Sequence, residues 1–310
     1  MRDGRFWLLL GAAALVAVAL FNPGWERRMV AYRMVAVVDI TRSMNVEDGV
    51  LEDRTGSRLE WVKAALKRLI LALPCGSQLG LGVFTERRSA LLFMPLEVCH
   101  DFHELHAAIE SLDWRSAWAA DSRIGEGLLD AMRLMRALKL ETWGLLFFTD
   151  GHEAPPLNPR YLPDFTEVQG LRGMLIGVGG SRLSPIPKFD EEGKRIGVYG
   201  AEDVPHRATF GLPWEDTSQL PGYHPRNAPF GGEQVIGQEH LSARKDDHLR
   251  FLAKQSGLDY AAPRTPAALV ETVLMRGVRQ PVFAVQALWP ACAGLALLAL
   301  FGVYLWRKRD

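Results

Sequence analysis

Two hydrophobic periods alternate along this chain, and the switches between them predict most of its elements. Residues 34–38 are an unbroken apolar run that Asp39 closes, the pattern of a strand buried on both faces. From Ser57 the period becomes helical. Leu59, Val62, Leu66, Leu69, Ile70 and Leu73 share one face, Ser57 and Glu60 have capping-box spacing, and Pro74 ends the run. Residues 79–85 and 91–94 read as strands of a hairpin turning at Glu86, Arg87 and Arg88. Asp101 with Glu104 predicts a capped helix carrying Phe102, Leu105, Ile109 and Leu112, and Ile124, Leu128, Met132, Met135 and Leu138 mark another. The apolar residues 145–148 precede Asp150, and 172–179 read as the next strand, with Gly177, Gly179 and Gly180 at its exit. A helix from Asp246 to Gly257, an extended 259–262 and a last helix over 265–276 follow. Such alternation predicts an α/β fold: a doubly wound, mostly parallel central sheet flanked by helices.

Between residues 181 and 244 the pattern breaks. A hairpin at Glu192 and Gly193 joins 186–189 to 195–199, and a long aperiodic stretch with Trp214, Tyr223, His224 and Phe230 follows. Insertions of this length are usually functional or mobile; a partner surface and a loop covering one side of the sheet are both compatible with it.

The two ends carry a different signal. Residues 6–21 are a sixteen-residue apolar run behind Arg2 and Arg5. It reads as a membrane anchor, or as a signal peptide cleaved near Ala17, Val18 and Ala19. Residues 281–306 are uncharged, carry Trp289 and Trp306, and stop at Arg307, Lys308 and Arg309, the pattern of a transmembrane helix with a cytoplasmic tail. The expected organisation is an anchor over 1–22, a periplasmic domain over 29–280, a second span over 281–306 and a basic tail over 307–310. Both termini would be cytoplasmic, at a bacterial inner membrane.

Charge and cysteines narrow the chemistry. Lys plus Arg and Asp plus Glu are 36 each, so a net charge of zero gives no case for nucleic acid. Cys75 and Cys99 are a pair that an oxidising compartment would allow to bridge; two unpaired core thiols are the other reading. His100, His103 and His106 recur every third residue, but on a helix the outer two diverge too far to share one ion, and a solvated face is expected. Gly125 and Gly127 lack the following Gly-Lys-Ser/Thr of a phosphate loop.

The candidate site lies where the first strand ends. After Asp39, the hydroxyls of Thr41 and Ser43 occupy alternate positions in a tight loop, so their oxygens can face one spot beside the carboxylate. Oxygen ligands with few charges suit a hard divalent cation and leave it room for another oxygen. Asp39, Thr41 and Ser43, then Ser122 in AADSRIGEGL, then Asp150 in GLLFFTDG, resemble the metal-ion-dependent adhesion site of von Willebrand factor A domains. In that family the pattern is D-x-S-x-S, a distant Thr and a distant Asp in a T-D-G turn; Thr41 and Ser122 depart from it while keeping a hydroxyl. Ser122 could equally be a helix N-cap, and Asp150 an ordinary turn residue.

The resemblance implies that Thr41, Ser43 and Ser122 contact the cation, Mg2+ in the first place, or Ca2+ or Mn2+. Asp39 and Asp150 would hold it chiefly through water, and a partner protein would complete it with an Asp or Glu. The arrangement is similar to bacterial Bat-type proteins. The phrases DITRSMNVED, CGSQLGLGVFTERRSALLF and LDWRSAWAADSRIGEGL are similar to the MxaL and MxaC type. That type accompanies a MoxR AAA+ ATPase and is linked to maturing a periplasmic quinoprotein methanol dehydrogenase, including its metal insertion. The expected function is binding, not catalysis. A metal-dependent phosphoryl-transfer enzyme and a metal-free membrane scaffold are the alternatives; the first lacks a second Asp at the position of Thr41.

Overall fold

The structure is a computed structural model that describes residues 4–21, 23–117, 122–154, 162–190, 192–200, 203 and 240–307. Trp214, Tyr223, His224 and Phe230 lie outside the described residues. The chain divides into two compact units, residues 31–280 and the two ends, 1–30 with 281–310.

The larger unit is built on β1 (Gly24–Asp39), whose central residues are flanked on both sides by parallel neighbours. On one side lie β2 (Gln78–Thr85) and, antiparallel to it, β3 (Arg88–Glu97). On the other lie β4 (Gly144–Thr149), β5 (Arg172–Gly177) and β6 (Asp259–Ala261), all parallel. β7 (Arg279–Ala287), most of which belongs to the other unit, also pairs with β1, so the sheet has seven strands. Hence β1 is the strand at which the winding reverses, and the carboxyl ends of β1 and β4 flank a topological switch point.

Alternate residues of β1 enter opposite faces of the sheet. Met34, Ala36 and Val38 pack with α2 (Arg58–Ala72), α3 (Phe102–Glu110) and α6 (Pro266–Arg276); Val35 and Val37 pack with α4 (Ile124–Ala137) and α5 (Asp246–Ser256). Burial on both faces is why this strand has no polar residue between Met34 and Val38. α2 starts as its sequence predicts: Ser57 Oγ accepts the Glu60 amide at 3.0 Å and Glu60 Oε2 accepts the Ser57 amide at 2.8 Å. Gly127 of α4 lies where a Cβ would stand 2.0 Å from Phe84, so the helix crosses β2 there only without a side chain.

Three expectations need correction. Asp101 does not cap α3 with its side chain; its carboxylate accepts the Glu97 amide at 3.0 Å instead, because the strand-to-helix turn brings that donor nearer. Ser122 is not the N-cap of α4 either. Arg123 holds that position without capping the helix through its side chain, and the Glu153 carboxylate accepts the Ile124 and Gly125 amides, both at 3.0 Å. The apolar run 281–306 is not one helix, since its first part is strand β7 and only Trp289–Arg307 is helical (α7). Cys75 and Cys99 form a disulfide between the end of α2 and the start of α3, with Cα atoms 5.3 Å apart.

The smaller unit contains α1 (Gly4–Leu20, seventeen residues) packed against the nineteen-residue α7. Among the described residues no helix is long and apolar enough to cross a membrane. Leu9, Leu10, Leu20, Leu297, Leu298 and Phe301 are nevertheless exposed along these helices.

Candidate metal centre

The register of β1 against β4 sets the site. Val38 pairs with Phe148, so Asp39 and Thr149 emerge side by side at the carboxyl edge. Asp39 is fully buried and accepts three bonds, all from uncharged donors. Oδ1 takes the Thr41 amide at 2.9 Å and the Thr41 hydroxyl at 2.7 Å, and Oδ2 takes the Thr149 hydroxyl at 2.7 Å. Having donated its proton, Thr41 Oγ1 keeps lone pairs for another group, and Ser43 Oγ lies 3.3 Å from it. A short 3-10 turn over Arg42–Asn45, with the Met44 amide on the Thr41 carbonyl at 3.0 Å, holds the two hydroxyls together.

Ser122 arrives from the other direction. Its backbone bridges Glu86, just beyond β2, and Ala154, just beyond β4, so it sits between the loops that flank the end of β1. The Ser122 hydroxyl is buried and has no hydrogen-bond partner among the described residues. An orphaned buried hydroxyl is costly unless something outside the protein satisfies it.

Asp150 is equally buried but differently held. Oδ2 accepts Arg58 Nη1 at 2.5 Å and the Ser242 hydroxyl at 2.7 Å, and Oδ1 accepts the His152 amide at 2.9 Å. Arg58 is itself wholly buried, and it donates through Nε and Nη2 to Asp48 at 2.8 and 2.7 Å. Gly179, at φ 89°, makes room for it, since a Cβ there would lie 2.2 Å from Arg58 Nε. The electrostatic outcomes diverge. Burial and then the neighbouring Asp150 charge push the Asp39 carboxyl up to about 7. Burial works to raise Asp150 too, but the Arg58 guanidinium, His152 and the hydrogen bonds from the His152 amide and Ser242 together outweigh it and hold that carboxyl below its ordinary value.

Asp39, Thr41 and Ser43 are therefore in mutual contact, Ser122 stands between the flanking loops, and Asp150 closes the adjacent strand, its carboxylate committed to an ion pair rather than free. Sequence reasoning missed Arg58, Thr149 and Ser242. Thr149 was legible beside Asp150, and Arg58 as the first residue after a helix cap, but a basic residue at a helix start carries no sign of burial. Ser242 comes from the return limb of the 181–244 insertion, where Leu241–Ser242 pairs with Ser184–Pro185. The described hairpin of the same insertion, Pro187–Phe189 with Arg195–Val198, lies against the loop after β1. Phe189 stacks on Trp114 at 5.2 Å, Tyr199 lies under Arg42 at 5.4 Å, and Arg195 pairs with Glu47 at 2.9 Å.

Among the described residues no three His, Cys, Asp or Glu side chains cluster to hold a metal, so a cation here would depend on hydroxyls. The donor set fits a hard cation on two observations: an orphaned Ser122 hydroxyl, and a buried Asp39 carboxylate with no positive partner among the groups that bond it.

No match was found among curated proteins. An aerotolerance-related membrane protein from Bacteroides fragilis is 14% identical, with a TM-score of 0.50 over 79% of this chain and 98% of that one. BatB from Bacteroides thetaiotaomicron, described as a conserved hypothetical protein, is 17% identical with a TM-score of 0.48 and the same coverage. Residues 34–152, which contain every candidate ligand from Asp39 to Asp150, match the von Willebrand factor type A domain family. The likeness to that family is thus one of this segment, which holds the candidate site.

Proposed function

We propose that this chain binds a divalent cation, Mg2+ first among Mg2+, Ca2+ and Mn2+, and uses it to engage a partner protein through an Asp or Glu of that partner. The observation that carries the reading is the pair of hydroxyls at Asp39 together with the buried hydroxyl of Ser122, which has no partner among the described residues. Thr41, Ser43 and Ser122 supply neutral oxygens, and Asp39 supplies the negative charge that a bound cation would compensate. A set so poor in charge leaves room for an acidic ligand from outside. The five candidate residues are only 0–4% exposed, so the loops over them have to part before a partner carboxylate can enter.

On this reading the chain is a binder and not an enzyme. Membrane attachment through α1 and α7 is supported by the apolar side chains these helices leave exposed, and the Bacteroides fragilis relative is described as a membrane protein. Each helix is a little short for a bilayer core of about 30 Å, a mismatch that local thinning can absorb. The Cys75–Cys99 disulfide favours an oxidising compartment such as the periplasm. Maturation of a periplasmic dehydrogenase with a MoxR-type ATPase rests on the sequence phrases alone.

The test is the melting temperature of the full-length chain in EDTA, Mg2+, Ca2+ and Mn2+, beside Asp39→Ala. A ligand bound only by the folded state must stabilise it, so a cation-dependent rise absent from the variant is expected. Equal melting in EDTA and in millimolar cation would sink the reading.

A further inference from the structure

Arg58 stands out among the buried groups because nothing in cation binding requires it. Its guanidinium is fully removed from solvent, an expensive location for a charge unless every part of it is compensated. Compensation here is complete. Nη1 donates to Asp150 at 2.5 Å, to the Ser242 hydroxyl at 2.6 Å and to the Ser43 carbonyl at 3.3 Å, while Nε and Nη2 take both oxygens of Asp48. One of these contacts reaches the backbone of a candidate ligand, and another takes the carboxylate that the resemblance assigns to the cation. Asp48, by contrast, faces outward, with its side chain 17% exposed, so its charge is partly solvated. In the dry part of the site the sum is therefore simple. Arg58 cancels Asp150, and Asp39, once a bound cation displaces its proton, is the one negative group left there.

We propose that Arg58 is the charge-setting residue of this site: it withdraws Asp150 from the cation and leaves one effective negative charge. A divalent ion held by that set keeps about one unit of positive charge, and this makes a partner's carboxylate a requirement for tight binding and not an accessory. Arg58 is a positioning residue, acting on the cation through Asp150 and through the Ser43 backbone. The inference rests on the cation reading above, and the experiment separates the two.

Mn2+ affinity would be measured by calorimetric titration of the full-length wild type, Arg58→Met, and the double variant Arg58→Met with Asp150→Asn. The single variant frees a buried carboxylate beside the site, and its Mn2+ affinity should rise by about ten-fold or more. The double variant restores neutrality without a guanidinium and should bind as the wild type does. Because it leaves no unpaired carboxylate in the dry part of the site, and Asp48 is partly solvated, it is expected to fold even if the single variant does not. Wild-type binding with no gain in Arg58→Met, or loss of binding in the double variant, overturns the role of Arg58 and leaves the cation reading intact. Absence of binding in all three removes the cation reading, and this inference with it.

Discussion

Asp39 and Asp150 follow the ends of neighbouring parallel strands, both are fully buried, and each accepts three hydrogen bonds. They differ in one donor. Every described donor to Asp39 is neutral, whereas one of the donors to Asp150 is a guanidinium; with the Asp150 charge acting on Asp39 and His152 acting on Asp150, their carboxyls move in opposite directions. Hydrogen-bond count therefore says little about which carboxylate is available to a cation; the charge of the donors decides. β1 ends in a carboxylate with no positive partner among the groups that bond it, and β4 leads into one already held in an ion pair.

The comparison breaks most severely at Arg58. Replacing it with Ala strands the buried Asp150 carboxylate, and a loss of about 3–5 kcal/mol in denaturant unfolding is expected; a loss within the range of surface substitutions would mean that the ion pair is not structural. Gly179→Ala attacks the same pair indirectly, through a left-handed backbone position and a Cβ in the path of the guanidinium. Its expected cost is about 2–3 kcal/mol by the same measurement. On the other strand, Thr149→Val removes the one bond to Asp39 Oδ2 and should cost about 1.5 kcal/mol, the lower end for a bond to a charged group. Smallest is Ser122→Ala. With no partner to lose among the described residues, it should change stability in EDTA by less than about 0.5 kcal/mol, yet flatten the cation-dependent rise in melting temperature. A cation-dependent rise as large as that of the wild type would separate Ser122 from the cation.

Much of the fold was legible because it rests on local regularities. The apolar run before Asp39, the Ser57 and Glu60 pair and the helical face of Leu59 to Leu73 each point to a single element, and the structure has those elements. The hairpin after residue 78 and the one at Glu192 and Gly193 are likewise present. Failures came where a side chain had a choice of partners. Asp101 had helix-capping spacing but met the Glu97 amide first, and Glu153, from a loop 29 residues on, took the capping role at Ile124 that Ser122 could have filled. In the run 281–306, composition spoke for one long helix, but β1 offered its backbone as a pairing partner to the first part, which became a strand.

For the candidate site the division is the same. By itself the sequence determined that Asp39, Thr41 and Ser43 stand together, because two-residue spacing in a tight loop leaves them little alternative. It also set Asp39 and Asp150 at the ends of strands apolar enough to be central. Only the tertiary structure decided which carboxylate is neutralised. Arg58 lies 92 residues from Asp150 along the chain and Ser242 the same distance on its other side. Charge compensation in a buried site depends on distance in space, and no local period in the chain encodes it.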